Sequence, residues 1–554
     1  MSLPPTADSR ASRPGGSVEP SEVQQTTAAG TGGGGVASAA SAAAEKRGVW
    51  NGVLQHRHFR NILFAQVFSN IGTWTEMFAI QMFVAHKTGR LDDQGALGMC
   101  QQLPIFFLGI FGGLAADRVN RRTLLVVTQL MAGLVAVGVA MIATFESSIS
   151  DRAAIYMLLG LGVLNGCVMA FNFPAWQVLT PRLVPRADLT KAITLNGIQF
   201  NSARIIGPAI AGLVLAKYGS PPLLWFNAAT FILMAAVVMR TPDDPAPARM
   251  GEILVSDIWK ELVRGRISEA IRFAVELWKK LLVDSREAWT FLTRNRGPRA
   301  VFLAQIALCL LAAPMVRMLS NFVLAVYDLD ANPSEFATNV AKMFGMKDVN
   351  ELVGGTLLAV QGVGAVTGGL CLRYVPKWYP KHHFIPLSVA CLGLTISWFA
   401  FSRSLVMGYI AMAVCGWFWM WAFNQSWAMI QVLTPDKIRG RAMSITNVVV
   451  FGAMAAGAFI AGFGGELLKT HHVMTDAWAT QTSILMLSIP LACAGVVMMI
   501  FRTPEVDGME RVPTDTKVAR SIIHAITAKE HWPGKNGVQR PRDTVEAIQE
   551  QEPI

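Results

Sequence analysis

Charged side chains are scarce in this sequence. Asp, Glu, Lys and Arg make up 15% of the 554 residues, against about 25% in soluble domains. Hydrophobic residues reach 52%, and the mean hydropathy is +0.40. This balance excludes an ordinary soluble domain and predicts an all-α polytopic membrane protein.

The motifs of several enzyme and metal-protein classes are also missing. No G-x-x-x-x-G-K-[ST] phosphate loop occurs, which excludes ATP hydrolysis as the energy source. The seven cysteines stand singly, without a C-x-x-C pair, so neither a disulfide framework nor a zinc site is predicted. The histidines near the ends of apolar runs lack metal-ligand spacing. We therefore expect no enzymatic activity, no cofactor and no metal.

Apolar runs of about 18 to 28 residues alternate with short polar turns from Asn61 onward, and each run can cross a bilayer core of about 30 Å. Twelve spans are predicted: 62–85, 96–116, 123–145, 153–178, 192–217, 222–239, 300–327, 353–373, 384–402, 406–433, 443–464 and 479–501. The predicted domains are a disordered tail (1–50), a first half (55–240), an amphipathic linker along the membrane surface (241–299), a second half (300–503) and a polar tail (504–554).

Basic residues concentrate in alternate loops, which predicts the orientation. They mark the loops after spans two, four, six, eight and ten, and the positive-inside rule places these loops and both termini in the cytoplasm. The same rule accounts for the net charge of +11, so no nucleic-acid partner is expected. No cleaved signal peptide is predicted either.

Three short matches recur at nearly one offset. Gln177 to Pro181 recurs at Gln431, Gly112-Gly113-Leu114 at Gly368, and Arg240-Thr241-Pro242 at Arg502. Each match stands at an equivalent span end. The repeat predicts two parallel six-helix halves.

A short basic loop separates the second and third apolar runs, at Gly112–Arg122. Its aspartate and three arginines cannot lie in hydrocarbon, because each charge at the centre of a membrane helix costs roughly 2.5 to 3.5 kcal/mol. The loop therefore forms a tight hairpin at a membrane face, where we expect Asn120 to take a left-handed turn conformation. Its motif residues are Gly113, Asp117, Arg118, Arg121 and Arg122.

These five residues have the spacing G-x-x-x-D-R-x-G-R-R, and on this loop the chain resembles the major facilitator superfamily. Asn120 stands where that pattern often has glycine, and Arg373 occupies the position of Asp117 in the second half. The resemblance implies that Asp117 holds the inner ends of the halves together, near the turn of Arg439 and Arg441. A carboxylate at a helix N-terminus contributes about 0.3 to 1 kcal/mol, enough to bias a balanced equilibrium.

Further stretches resemble one branch of that superfamily, the exporters that include enterobactin and multidrug efflux proteins. They are Gly72–Trp74, Gln177–Pro185, Asn201–Gly212 and Arg439–Met443, and the likeness covers about residues 55–503. Arg204 with Gly207, Pro208 and Gly212 is similar to the antiporter signature of proton-driven exporters, although its full run of spaced glycines is missing. Gly207 and Pro208 are also expected to bend their helix.

Polar side chains inside the spans are the candidates for proton coupling and for the substrate cavity. Glu76 fits a proton carrier, or else a carboxylate that faces water or pairs with an arginine. Arg204 needs a partner or water, with Glu76 as one candidate, and Arg317 suits an anionic substrate or a buried acid. The remaining cavity candidates are Gln101, Asn165, Asn201, Gln361 and Asn424, although such residues also join helices. Span ten carries tryptophans that suit packing or an aromatic cage.

These features predict a secondary active transporter: a proton-coupled exporter of a siderophore- or drug-like amphipathic molecule that works by alternating access. Two alternatives remain open, a lysophospholipid flippase of the same fold and a non-transporting sensor or scaffold. The expected partners are the lipid bilayer, the small-molecule substrate and protons. The protein is expected to act as a monomer in the plasma (inner) membrane.

Overall fold

The structure is a computed structural model that describes residues 51–179, 183–185, 188–242, 264–329, 348–375, 381–470 and 474–500, with four isolated positions between 339 and 345. Within these ranges the secondary structure is helical, with no strand. The tails predicted at 1–50 and 504–554 lie outside the described residues, and so do residues 243–263 of the linker.

Twelve long helices lie among the described residues outside the linker. They are α1 (Arg57–Thr88), α2 (Leu91–Arg118), α3 (Arg121–Thr144), α4 (Asp151–Leu179), α5 (Leu189–Tyr218), α6 (Pro221–Met239), α7 (Arg296–Tyr327), α8 (Val349–Cys371), α9 (Lys381–Ala400), α10 (Leu405–Leu433), α11 (Asp436–Thr470) and α12 (Asp476–Ile500). Each helix overlaps one predicted span.

Eleven of these helices are long and apolar enough to cross a membrane. The twelfth, α1, has 32 residues but carries polar side chains such as Gln66, Asn70 and Glu76. It packs against α5 and α6, among the other spans. The predicted fold class, an all-α polytopic membrane protein, is confirmed.

Successive helices run in opposite directions, which defines two faces. We call the face that contains the turn at Val119 and Asn120 the hairpin face, and it also holds the start of α1 and the end of α6. The opposite face holds the turns near Gly89, Ser150 and Gly219, together with the start of α8 and the end of α11.

The helices pair in the same way in the two halves. In the first half α2 packs on α4, α3 on α6 and α1 on α5, and in the second half α8 packs on α10, α9 on α12 and α7 on α11. The repeated glycines explain one of these pairs. A side chain at Gly112 would overlap Ala170 of α4, and a Cβ at Gly368 would lie 2.9 Å from the Cα of Trp417 in α10. The repeat therefore preserves close helix crossings, which small residues allow.

Two seams join the halves, α2 against α11 and α5 against α8. A Cβ at Gly95 would lie 2.6 Å from the carbonyl oxygen of Ala458, and one at Gly212 would lie 3.1 Å from the Cα of Gly355. Both contacts lie towards the opposite face. At this face the halves therefore meet backbone to backbone, with no room for a larger side chain.

Helix α7 is irregular. Two π-helical segments, Leu308–Ala312 and Val323–Tyr327, flank an α-helical segment that begins at Pro314. The first π segment packs against α11 and α12, and the second packs against α12 and α8. Single π turns occur frequently at functional sites because they change the direction of nearby side chains. Arg317 lies between the two segments.

A linker helix (Ile267–Arg294) precedes α7, in agreement with the helix predicted from the amphipathic pattern. Its last turns are docked on the second half, where Ala288 and Leu292 are fully buried beside Phe302 of α7 and Ala442 of α11. The predicted position of this helix along the membrane surface stays a prediction.

Candidate functional site

Arg204 forms a contact between the halves in the middle of the α5–α8 seam. Its Nη2 donates a hydrogen bond to the Oε1 of Gln361 at 3.3 Å. Its guanidinium also lies 5.8 Å from the ring centroid of Trp74 in α1, within the range of a cation–π contact. Gln361 is buried and in turn donates to the Sγ of Cys415 at 3.8 Å. Two residues predicted for the cavity, Arg204 and Gln361, are thus brought together from opposite halves.

Helix α5 runs without interruption through Gly207 and Pro208. A Cβ at Gly207 would lie 2.5 Å from the Cβ of Trp74, so this glycine lets α5 approach α1 closely. Pro208 has no N–H, so the helical hydrogen bond back to the carbonyl of Arg204 in the preceding turn is missing. The close approach places Trp74 where the Arg204 guanidinium can lie over it.

Glu76 does not pair with Arg204, and that expectation was wrong. Its Oε2 accepts a hydrogen bond from the Nδ2 of Asn227 in α6. Asn227 is fully buried, and Gly72 gives it space, since a Cβ there would lie 2.6 Å from the Asn227 Oδ1. Glu76 is therefore a half-buried carboxylate inside the first half, between α1 and α6.

Arg317 projects from α7 towards the first half. Its Cγ and Nε lie 3.8 Å from the position that a Cβ would take at Gly98 in α2. Within the part of the chain that the structure describes, it forms no ion pair. A half-buried cation at a helix interface suits an anionic ligand, because a charge without a partner is costly away from water.

The other predicted cavity residues do not gather around Arg204. Gln101 packs where α2 crosses α4, with its Cγ 3.4 Å from the Cβ position of Gly162. Asn201 bonds back to the carbonyl of Gly197 at 2.8 Å, and Asn424 bonds to Met420 of its own helix. Asn165 lies half-buried on α4.

The tryptophans of α10 divide between two faces of the helix. Trp421 donates its indole N–H to the carbonyl of Gly368 at 2.7 Å and stacks near Trp417 and Phe384. Trp419 and Trp427 stack on either side of Phe423. This arrangement favours packing over an aromatic cage formed by all four tryptophans.

Sequence reasoning missed a polar contact that closes the α2–α11 seam at the opposite face. Glu466, near the end of α11, is 5% exposed, and its Oε2 accepts a hydrogen bond from the backbone N–H of Leu91 at 2.9 Å. Its Oε1 lies 3.4 Å from the Nη1 of Arg90. Arg90 donates a hydrogen bond to the Asp92 carboxylate, and this bond is the main reason why the pKa of Arg90 is raised. A carboxylate of one half thus caps the N-terminus of a helix in the other half.

A second charged cluster lies at the same face, beside the α5–α8 seam. The Nε2 of His86 in α1 lies 3.7 Å from a carboxylate oxygen of Asp348 and 3.7 Å from one of Glu351. The ligand atoms of all three lie within 4.8 Å of one another. The sequence gives little signal for this cluster, because His86 lies more than 260 positions before Asp348 and Glu351.

The hairpin itself holds together two helices of the first half. Arg121 is 3% exposed, and the Nη2 of Arg122 donates to the carbonyl of Met239 at the end of α6. Asn120 does not take the expected left-handed conformation, since it has φ −55° and its side chain accepts a hydrogen bond from Thr123 as the N-cap of α3. Gly113 lies on α2 with open space around its Cβ position. The structure does not describe the side chains of Asp117 and Arg118.

Arg439 and Arg441, which were expected in a turn, lie in the first turns of α11, and these turns contact the linker helix. The Nε of Arg439 donates to the carbonyl of Thr434 at 3.3 Å, and the Nη1 of Arg441 lies 3.8 Å from the Oε2 of Glu287. Arg441 therefore joins α11 to the linker helix. Its predicted proximity to Asp117 stays a prediction.

Comparison with known proteins places this architecture in a family. The major facilitator family model described as transmembrane secretion effector matches residues 50–283 and 344–530. The chain is 23% identical over 457 residues to the multidrug efflux pump Tap of Mycolicibacterium fortuitum, covering 80% of this chain and 96% of the pump. It is 23% identical over 397 residues to the enterobactin exporter EntS of Escherichia coli O1:K1 / APEC, covering 72% and 82% of the two chains.

The fold has solved counterparts. The crystal structure of the nucleoside transporter NupG superposes with a TM-score of 0.56 at 14% identity, over 80% of this chain and 100% of that one. A likeness at this identity concerns the fold alone. With the family model matching most of the sequence, the chain belongs to the major facilitator superfamily of membrane transporters, in the transmembrane secretion effector family.

Proposed function

We propose that this protein is a proton-coupled exporter of amphipathic small molecules of drug or siderophore type, and that it works by alternating access. The observation that carries the proposal is the match to an efflux pump over 96% of the pump's length. The enterobactin exporter matched over 82% of its length supports the same class of function.

The seams support alternating access. Near the opposite face the halves meet through glycine contacts, the Glu466 carboxylate and the His86 cluster. Polar contacts of this kind can break without disrupting the packing inside either half. With the basic loops in the cytoplasm, as the positive-inside rule favours, the hairpin face is cytoplasmic and the described conformation is closed towards the outside.

The proposed substrate region lies between Arg204 and Gln361 on one seam and Arg317 at the other. Both arginines lie where the halves meet, one on each side of the interface. Two cations suit a substrate that carries an anionic group beside its apolar body, and Trp74 offers an aromatic surface next to Arg204.

Glu76 is the proposed proton carrier. Its carboxylate is half-buried and has one hydrogen-bond donor, Asn227, so protonation removes a charge that the surroundings compensate only in part. Glu76→Gln preserves an oxygen that can accept from Asn227 and removes the titratable group. We expect it to abolish transport driven by a pH gradient and to leave downhill movement intact.

The experiment uses inverted membrane vesicles with an imposed pH gradient, in which uptake of a siderophore and of a fluorescent drug-like dye is measured. Glu146→Gln is the matched control, because Glu146 is exposed and pairs with Lys87 inside the same half, at 3.8 Å. Gradient-driven uptake that survives Glu76→Gln at the wild-type rate contradicts the role of Glu76. Absence of gradient-dependent uptake for both substrates contradicts the proposed function.

A further inference from the structure

A cavity of about 550 Å³ opens between α1 and α6 at the hairpin face. It lies between two helices of one half, away from both seams, so the transport pathway proposed above does not account for it. Its lining changes character along its length, from cationic at the helix ends to apolar further along both helices.

The cationic end is formed by Arg57 at the start of α1 and Arg240 at the end of α6. His58 lies beside them and accepts a hydrogen bond from the Nε of Arg57 at 3.3 Å. Neither arginine forms an ion pair among the described residues, and none of the residues that line the cavity is acidic. This end therefore carries positive charge that no acidic side chain among the described residues neutralises.

The apolar end is formed by side chains that project outwards from the two helices. Phe64 is 58% exposed, Phe68 is 49% exposed and Leu233 is 45% exposed. Phe68 follows Arg57 by eleven positions, which is about 16 Å along a helix and close to half of a bilayer core of about 30 Å. The cavity thus has the length of one leaflet, with its charges where lipid headgroups lie.

We propose that this cavity binds an anionic phospholipid, with the phosphate between Arg57 and Arg240 and an acyl chain along Phe64, Phe68 and Leu233. The two arginines bind the lipid phosphate. They favour a lipid with a net negative charge over a zwitterionic lipid, whose headgroup also carries a positive charge. The bound lipid spans the contact between α1 and α6, the same two helices that Glu76 and Asn227 join.

Equilibrium binding of fluorescent phosphatidylglycerol to the purified full chain in detergent tests the proposal, with phosphatidylcholine and glycerol 3-phosphate as competitors. We expect phosphatidylglycerol to bind and phosphatidylcholine to compete weakly. Arg57→Gln and Arg240→Gln should each raise the Kd about fivefold, and the double variant about 30-fold, from the usual contribution of a basic residue near anionic lipid.

Three further variants keep the result interpretable. Arg373→Gln removes an exposed arginine from the hairpin face outside the cavity and should leave the Kd unchanged. Leu233→Trp fills the apolar end from an exposed position and should weaken lipid binding with both arginines present. Arg57→Lys with Arg240→Lys should retain most of the affinity, which separates loss of charge from loss of folding.

Equal affinity for the two lipids, or an unchanged Kd in the double glutamine variant, would overturn the proposal. So would competition by glycerol 3-phosphate as strong as that of the lipid, together with no effect of Leu233→Trp, because the site would then bind a free anion.

Discussion

Removal of the Glu466 carboxylate should open the face that the structure shows closed. The hydrogen bond from the Leu91 N–H at 2.9 Å joins a charged acceptor to a helix N-terminus, and bonds to charged groups contribute about 1.5 to 3 kcal/mol. The ion pair with Arg90, at 3.4 Å and partly exposed, adds less than about 1 kcal/mol. Since water replaces part of both contacts, Glu466→Ala should destabilise the closed state by about 2 to 3 kcal/mol.

That free energy corresponds to a 30- to 150-fold change in the equilibrium between the two conformations. Glu466→Gln keeps an acceptor for Leu91 and loses the charge, so its shift should be about fivefold. Spin labels introduced at the exposed positions Ser147 and Val406, one in each half at the opposite face, report the separation by electron–electron double resonance. The labels require replacement of accessible native cysteines, of which Cys493 is exposed.

Glu146→Gln provides the control, because this exposed acid pairs with Lys87 of the same half. The expected result is a longer-distance population that grows in the order wild type, Glu466→Gln, Glu466→Ala. An unchanged distance distribution in Glu466→Ala would refute the reasoning, since the seam would then be closed by its other contacts, the glycine crossings and the bond from Lys469 to the Gly89 carbonyl.

Three other substitutions, two of them with a comparison variant, test separate contacts. Arg204→Lys loses the planar contacts with Trp74 and Gln361 and should reduce efflux about tenfold or more, with an unchanged melting temperature. Gly95→Val should prevent closure of the α2–α11 seam and lower the melting temperature, whereas Gly113→Ala, which meets open space, should leave both unchanged. Leu292→Ala empties a fully buried site and should cost about 2 to 5 kcal/mol in chemical unfolding, whereas Arg441→Gln, in an exposed ion pair, should cost less than about 1 kcal/mol.

The positions of the helices follow closely from the sequence, because only apolar runs of sufficient length can cross the bilayer core and charged residues must lie in the turns between them. The repeat predicts two equivalent halves, and its glycines Gly112 and Gly368 lie at equivalent close helix crossings in the structure. Helix α1 is recognised as a span by its length. Its polar side chains leave it less apolar than the other eleven helices, so hydropathy alone would not identify it.

The partners of individual polar residues are predicted less well. Arg204 and Gln361 both stand out as polar residues inside spans, but nothing in the sequence indicates that positions 157 apart meet. The expected pairing of Glu76 with Arg204 fails for a geometric reason. Trp74 faces α5, and a residue two positions further is rotated by about 200° around the helix, so Glu76 faces α6 instead.

Two other differences have physical causes. Asparagine is favoured both in left-handed turns and as an N-cap. Here it is the N-cap, because its side chain accepts a hydrogen bond from the Thr123 N–H, which has no partner within the first turn of α3. The contact of Glu466 with the other half could have been predicted from its position in the sequence. An acid close to the C-terminal end of a helix is unfavourable with the helix dipole, so its presence near the end of α11 indicates a partner elsewhere.

The start of α2 depends on a residue that the first half does not contain. Arg90, the N-cap of α2, makes no capping hydrogen bond with its side chain, and the amide of Leu91 is bonded instead to Glu466. The first turn of α2 is therefore complete only while the two halves are together at this face. Hydrogen exchange at the Leu91 amide thus becomes a label-free test of the proposed alternating access, slow while the halves are closed at the opposite face and fast once water reaches the seam.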